Sequence, residues 1–209
     1  LRASHLGARV LITSSSLVYR QSDRALKEHD PTGPATPYAL SKLAQEMLGQ
    51  RGIQEDRQQV IIARSFNHTG PRQNPSYAAP GFARQIALIE RGRVRPEIAV
   101  GNLEAARDLH DVRDTVRAYR DIIERGQPGE IYNVCSGQAF SMREVLDRLI
   151  SMSRTAVTVS VDPARFRPND NPLVLGDRSR IEREIGWTPA IPLDQTLTDL
   201  LAYWTKEVE

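Results

Sequence analysis

Cysteine is almost missing from this chain. Cys135 is the only one, which excludes an internal disulfide framework and any zinc site built from several thiolates. Lysine is scarce as well, occurring only as Lys27, Lys42 and Lys206, so arginine carries nearly all the basic charge. Its planar fork of donors suits phosphate and carboxylate groups, and an anionic small ligand stays open. Neither sign of charge dominates: 28 Lys plus Arg stand against 26 Asp plus Glu, for a net charge of +2. That is too little to make nucleic acid or a membrane surface the main partner. No run approaches the roughly 18 apolar residues of a membrane span. The opening LRASHLGARVLITSSS has neither the apolar core nor the cleavage pattern of a signal peptide. A cytoplasmic, reducing location is the expectation.

A further absence concerns architecture. Apolar runs that read as strands (9–14, 60–66, 97–100, 131–135, 158–161) alternate with segments of helical periodicity (38–50, 82–90, 112–125, 142–152, 178–185, 193–208). Such alternation predicts an α/β fold with a largely parallel sheet over 209 residues. A doubly wound nucleotide-binding protein opens with a strand, a glycine-rich turn and a helix, yet no G-x-G-x-x-G string is present. The pattern reads as the second half of such a sheet. Because the chain starts at Leu1 and enters an apolar strand almost at once, a preceding segment is expected. Helix signals are clear in places. Pro37 suits a first helical turn, Ser141-Met-Arg-Glu144 has capping-box spacing, and Leu197, Leu200, Leu201 and Trp204 form one stripe. On the helix after Pro37, Leu40, Leu43, Ala44, Met47 and Leu48 share a face that is expected to be the apolar one.

Four constellations carry potential chemistry. The first is Tyr38-Ala-Leu-Ser-Lys42 at a helix start, with Ser14 and Ser15 ending the strand before it. Tyrosine and lysine one turn apart lie on one face, and a nearby cation favours the phenolate, so this phenol is suited to exchanging a proton with an alcohol or ketone. The second, Arg64-Ser-Phe-Asn67-His-Thr-Gly-Pro71, runs from a strand into a long polar loop, where Asn67 offers a donor and an acceptor. The third is Val100-Gly-Asn-Leu-Glu-Ala-Ala-Arg107-Asp108, whose arginine can make two charge-assisted bonds to a phosphate. The fourth is Arg165-Phe-Arg167-Pro-Asn-Asp170.

Taken in this order, the motifs resemble the extended short-chain dehydrogenase/reductases, the nucleotide-sugar epimerase/dehydratase family. The G-N-L-E-A-A-R-D string of the third constellation looks like the branch containing the GDP-mannose 4,6-dehydratases. The resemblance implies the C-terminal part of a Rossmann-type domain over 1–66, then mainly a smaller α/β substrate-binding lobe over 67–209 with segments returning to the first sheet. It implies Ser15, Tyr38 and Lys42 as the catalytic set. It also implies NADP or NAD beside Ser14, Tyr38, Lys42, Ser65 and Phe66, and a nucleoside diphosphate sugar, GDP-linked by preference, on Asn67, Arg107, Arg167 and Asp170. The pattern departs at Arg20, where Gly is usual, and at Ser65, where Pro is usual. At Leu17 the dehydratases carry the glutamate that abstracts a proton beside the ketone. Leucine cannot act as a base, which favours reduction of the 4-keto group of a GDP-6-deoxyhexose over elimination. A dehydratase, a 4-epimerase or a chain that binds nucleotide sugar without catalysis are the alternatives. Family members often dimerise through the Tyr/Lys helix, so Leu43, Met47 and Leu48 serve either a homodimer interface or the core. The four histidines are too scattered for a metal site and read as loop or surface residues, Trp187 and Trp204 as anchors of C-terminal packing, and Cys135 as a small core residue.

Overall fold

The computed structural model describes residues 7–166 and 171–208. Its first sheet has three parallel strands: β1 (Arg9–Ser15), β2 (Gln59–Ser65) and β6 (Ile131–Val134), in the order β1-β2-β6. From Val60 onward β2 is buried throughout, as a strand covered on both faces must be. The row Ser15, Ser65, Val134 lies across the C-terminal ends of the strands, and the row Ser14, Arg64, Asn133 lies just before it. Because neighbours in register point the same way, the two rows face opposite layers.

One layer is α1 (Pro37–Asp56), which crosses from β1 to β2. The Thr36 hydroxyl accepts from the Ala39 N–H at 3.1 Å, and Pro37 fills the first turn, where its missing N–H costs nothing. The expected apolar face is not the buried one. Leu40, Met47 and Leu48 are 59%, 63% and 70% exposed, whereas Ala39, Glu46 and Gly49 are buried and Leu43 is only half-buried. Close approach explains this: a Cβ on Gly49 would collide with the Ile12 Cδ1, so α1 rides low on the sheet and presents small and polar residues to it.

The opposite layer is α3 (Val112–Arg125) and α5 (Ser179–Ile185). Ile61, Ala63 and Val134 from the sheet pack there with Ala118, Ile122, Ile181, Ile185 and the fully buried Trp187, whose indole N–H donates to the Asp114 carbonyl at 3.2 Å. The remaining strands are β3 (Asn67–Thr69), β4 (Glu97–Val100), β5 (Ala106–Asp111), β7 (Ala139–Ser141), β8 (Thr158–Val161) and β9 (Leu173–Val174). Strand β5 is central to the second sheet, parallel to β3 and β9 and antiparallel to β7, while β4 and β8 form a separate parallel pair. Helices α2 (Ala78–Glu90), α4 (Met142–Met152) and α6 (Leu193–Glu207) enclose the largest core with these strands. The capping box at Ser141 and Glu144 is present, and Leu197, Leu200 and Leu201 are buried as their stripe requires. Among the described residues no helix is long and apolar enough to cross a membrane.

Candidate active site

The end of β1 turns into a short 3-10 segment, Ser16–Val18, capped by Ser15, whose hydroxyl oxygen accepts from the Leu17 N–H at 3.2 Å. Helix α1 packs against both β1 and this turn. Tyr38, in the first turn of α1, is 53% exposed beside this edge. The Lys42 ammonium donates to the Thr13 carbonyl at 2.9 Å and lies 5.9 Å from the Tyr38 ring centroid. The catalytic set expected from sequence thus sits where the C-terminal ends of parallel strands open, the usual ligand position in such sheets. Leu17 is exposed in the turn that follows Ser15.

A buried polar network anchors this arrangement from beneath. Arg64 makes a bidentate pair with Glu46, Nε to Oε1 at 2.9 Å and Nη2 to Oε2 at 2.6 Å. The Ser14 hydroxyl donates to the same Glu46. Arg64 also donates to the Glu28 carbonyl at 3.0 Å and stacks 4.6 Å above the Tyr19 ring. Tyr19 in turn donates to Asn133 Oδ1 at 2.7 Å, and burial pushes its phenol up to about 12, against the opposing pull of Arg64. Burial works against the Arg64 charge, but the hydrogen bonds it donates to Glu46 hold the guanidinium above its ordinary range, so Arg64 is a permanent buried cation matched by a buried carboxylate. The pair fastens the α1 turn following Lys42 to the strand next to β1.

Two of the expected cofactor contacts have side chains that are engaged within the fold. The Ser14 hydroxyl is engaged in the Glu46 network, on the face away from Ser15. The Phe66 side chain is core, packed with Val18, Tyr19, Leu26, Cys135 and Val174. Ser65 ends β2 beside Ser15, and its hydroxyl lies 2.6 Å from that of Tyr119.

Two residues beyond Ser65, exposed Asn67 opens a cavity of about 310 Å³. Tyr77 and Gln85 from α2 and its approach, Arg107 from β5, and Arg165 also line it. Arg107 is held by the carbonyls of Ala106 at 2.8 Å and Asn171 at 2.6 Å. Arg167 and Asp170 lie outside the described residues.

The acidic residues around Arg107 serve the fold. Asp108 is fully buried and accepts from Ser136 N and Oγ, Gly137 N and Gly176 N, while burial itself pushes its carboxyl up. Asp111 caps α3 and accepts from Thr196, and Asp114 accepts the N–H groups of Ala190 and Ile191. His110 corrects the surface assignment. It is buried, its Nε2 is 3.0 Å from the Thr115 hydroxyl, and burial together with His68 lowers it to about 4. Cys135 is core as expected, its thiol pushed up by burial. Among the described residues no group of three or more metal-ligating side chains converges.

Sequence reading missed Glu46, Tyr19, Tyr77, Gln85 and Tyr119. Glu46 carried one usable signal, a carboxylate one turn beyond Lys42 on the helix that rides over the β1 edge.

Comparison with known proteins places this geometry in a class. The chain has 32% identity and a TM-score of 0.93 to the structure of RMD from Pseudomonas aeruginosa complexed with NADPH, covering 99% of this chain and 69% of that one. A putative epimerase from Burkholderia cenocepacia gives 36% and 0.84 over 95% of this chain and 64% of that one. A UDP-glucuronic acid 4-epimerase from Bacillus cereus gives 0.83 at 23% identity, which shows the fold alone, over 95% of this chain and 62% of that one. The architecture is that of the Rossmann-type epimerase/dehydratase structures. Residues 1–200 match the family described as GDP-mannose 4,6 dehydratase, and the chain belongs to that family. Among curated relatives, the GDP-6-deoxy-D-mannose reductase of Pseudomonas aeruginosa is 37% identical over 100% of this chain and 69% of its own length. The mouse dTDP-D-glucose 4,6-dehydratase is 29% identical over 94% of this chain and 55% of its own length.

Proposed function

We propose that this chain is the catalytic and sugar-nucleotide-binding part of an NAD(P)H-dependent reductase acting on the 4-keto group of a GDP-6-deoxyhexose. The observation that carries the reading is the placement of Leu17 at the mouth of the site: beside Ser15, Tyr38 and Lys42 stands a side chain with no proton to take or give. Elimination needs a base beside the ketone, while reduction needs an acid at the oxygen and a hydride at the carbon. The similarity to the Pseudomonas aeruginosa reductase, and the NADPH in the solved structure, support the same choice.

The donors at the sheet edge fit the reacting end of a nicotinamide nucleotide, which when bound supplies the hydride. Ser15 and Tyr38 offer hydroxyls to a carbonyl oxygen, and Tyr38 delivers the proton as that oxygen becomes an alcohol. Lys42 places positive charge 5.9 Å from the Tyr38 ring centroid, beside the group that gives up the proton. In the cavity, Asn67 and Arg107 hold the sugar nucleotide, with Arg107 toward the diphosphate and its neighbouring carbonyls fixing the guanidinium plane. Arg167 and Asp170 are proposed to complete the nucleotide site. Residues 1–66 are proposed as the cofactor lobe and 67–209 as mainly the sugar-nucleotide lobe.

The exposed α1 stripe of Leu40, Met47 and Leu48 supports a homodimer formed through this helix. A cytoplasmic site of action accompanies the proposal. In the assay, natural full-length polypeptide consumes one equivalent of reduced cofactor per equivalent of keto sugar, and Tyr38→Phe lowers kcat by about a hundredfold or more, the scale of a lost general acid. Undiminished turnover by Tyr38→Phe overturns the assignment.

A further inference from the structure

Ser65, expected from the sequence to lie beside the cofactor, is paired with Tyr119, a residue that the reading above leaves unused. Ser65 is the register partner of Ser15 at the last paired position of β1 and β2, so their side chains leave the sheet on the same face, on strands about 4.8 Å apart. That face is covered by α3: Ile61 and Ala63, which alternate with Ser65, pack on Ala118 and Ile122. Tyr119 follows Ala118, and its phenol reaches the end of the strand, 2.6 Å from the Ser65 hydroxyl, either oxygen being able to donate. Ser65 is buried and Tyr119 half-buried, so the pair sits back from solvent at the strand ends. Burial and the neighbouring Tyr38 both hold the Tyr119 proton on, against the Ser65 hydrogen bond, which keeps this phenol neutral and able to donate.

Two hydroxyls that share one hydrogen bond retain one O–H and several lone pairs. Those lone pairs are the complement of a primary carboxamide's N–H groups, which the pair would accept. We infer that the Ser65–Tyr119 pair recognises the carboxamide of a bound nicotinamide and so fixes which way its ring faces beside Ser15 and Tyr38. The inference rests on the reductase reading and adds Tyr119 to it as a cofactor-binding residue.

The test compares two ligands by titration calorimetry on the natural full-length polypeptide: NADPH, and its 3-acetylpyridine analogue, in which a methyl replaces the carboxamide NH2. Tyr119→Phe keeps the ring and removes only the hydroxyl. It is expected to weaken NADPH by about tenfold, the scale of one good hydrogen bond, and the analogue by less than about threefold. Ser65→Ala is expected to do the same, and the double variant to be little weaker than either single one, because the pair acts as a unit. Unchanged NADPH affinity in Tyr119→Phe overturns the inference, as does an equal loss for both ligands, which marks a structural role. Wild-type protein that binds neither nucleotide overturns the reductase reading itself and the inference with it.

Discussion

Replacing Glu46 with glutamine tests what holds α1 in place. Glu46 is 1% exposed and Arg64 4%, so the substitution leaves a guanidinium in the interior without a countercharge. Removing one member of a buried pair costs about 3–5 kcal/mol, because the remaining charge keeps its desolvation penalty and loses its compensation. The glutamine oxygen can still accept from the shared Ser14 hydroxyl and one Arg64 N–H, but its NH2 then faces the other guanidinium N–H, so a lost hydrogen bond adds to the lost charge. Against a typical stability of about 5–15 kcal/mol this is a large fraction. The double replacement Glu46→Leu with Arg64→Met removes both charges and is expected to cost less than the single change. Its main residual cost is the partners stranded on Ser14 and Glu28, about 1–3 kcal/mol. Urea unfolding followed by far-UV circular dichroism measures both. A Glu46→Gln loss below about 1 kcal/mol, or a double variant weaker than the single one, refutes the claim that electrostatics fastens α1 to the sheet.

Three further outcomes follow from the geometry. His110 is neutral when folded, with its value lowered to about 4, whereas the unfolded side chain titrates near 6.5. The unfolded state therefore binds the extra proton between these values, and stability falls as pH drops through that window, by up to about 3 kcal/mol. Urea midpoints from pH 7 to 4 should show the slope, and His110→Gln should flatten it. Gly176→Ala should destabilise by about 1–3 kcal/mol through overpacking, since its Cβ would lie 2.5 Å from Cys135 Sγ and 2.7 Å from Cys135 Cβ; an unchanged melting temperature would contradict that crowding. Leu48→Glu, on the exposed α1 stripe, should halve the mass seen by light scattering without lowering the melting temperature; a wild-type monomer would end the dimer proposal.

Where the chain obeys simple periodicity, it can be read directly. The alternation of apolar strands and amphipathic helices gave the α/β class, and α4 and α6 lie where their capping box and leucine stripe put them. Strand β5 was not legible because its sequence, Ala-Arg-Asp-Leu-His-Asp, has almost no apolar signal. It is buried because Asp108 is satisfied by donors from the loops at Ser136, Gly137 and Gly176 and Asp111 by Arg113 and by Thr196 of α6, partners far along the chain for the most part and invisible to a local pattern. The buried face of α1 was misread for a related reason. Leu40, Met47 and Leu48 point outward, and the face against the sheet is small and charged because Arg64 beneath it requires Glu46. At the site, Tyr38 and Lys42 were visible as a spaced pair. Tyr119, more than a hundred residues beyond Ser15, joins them only through the stacking of α3 on the sheet.

The central claim is that reduced cofactor gives its hydride to the sugar and keeps none of it back. NADPH carrying deuterium at the transferred position of the nicotinamide, incubated with natural full-length polypeptide and a GDP-4-keto-6-deoxyhexose, tests this directly by mass spectrometry and NMR of the product. The account predicts one deuterium at C4 of the sugar for each cofactor oxidised. Product without deuterium, or turnover with no net oxidation of cofactor, would contradict it.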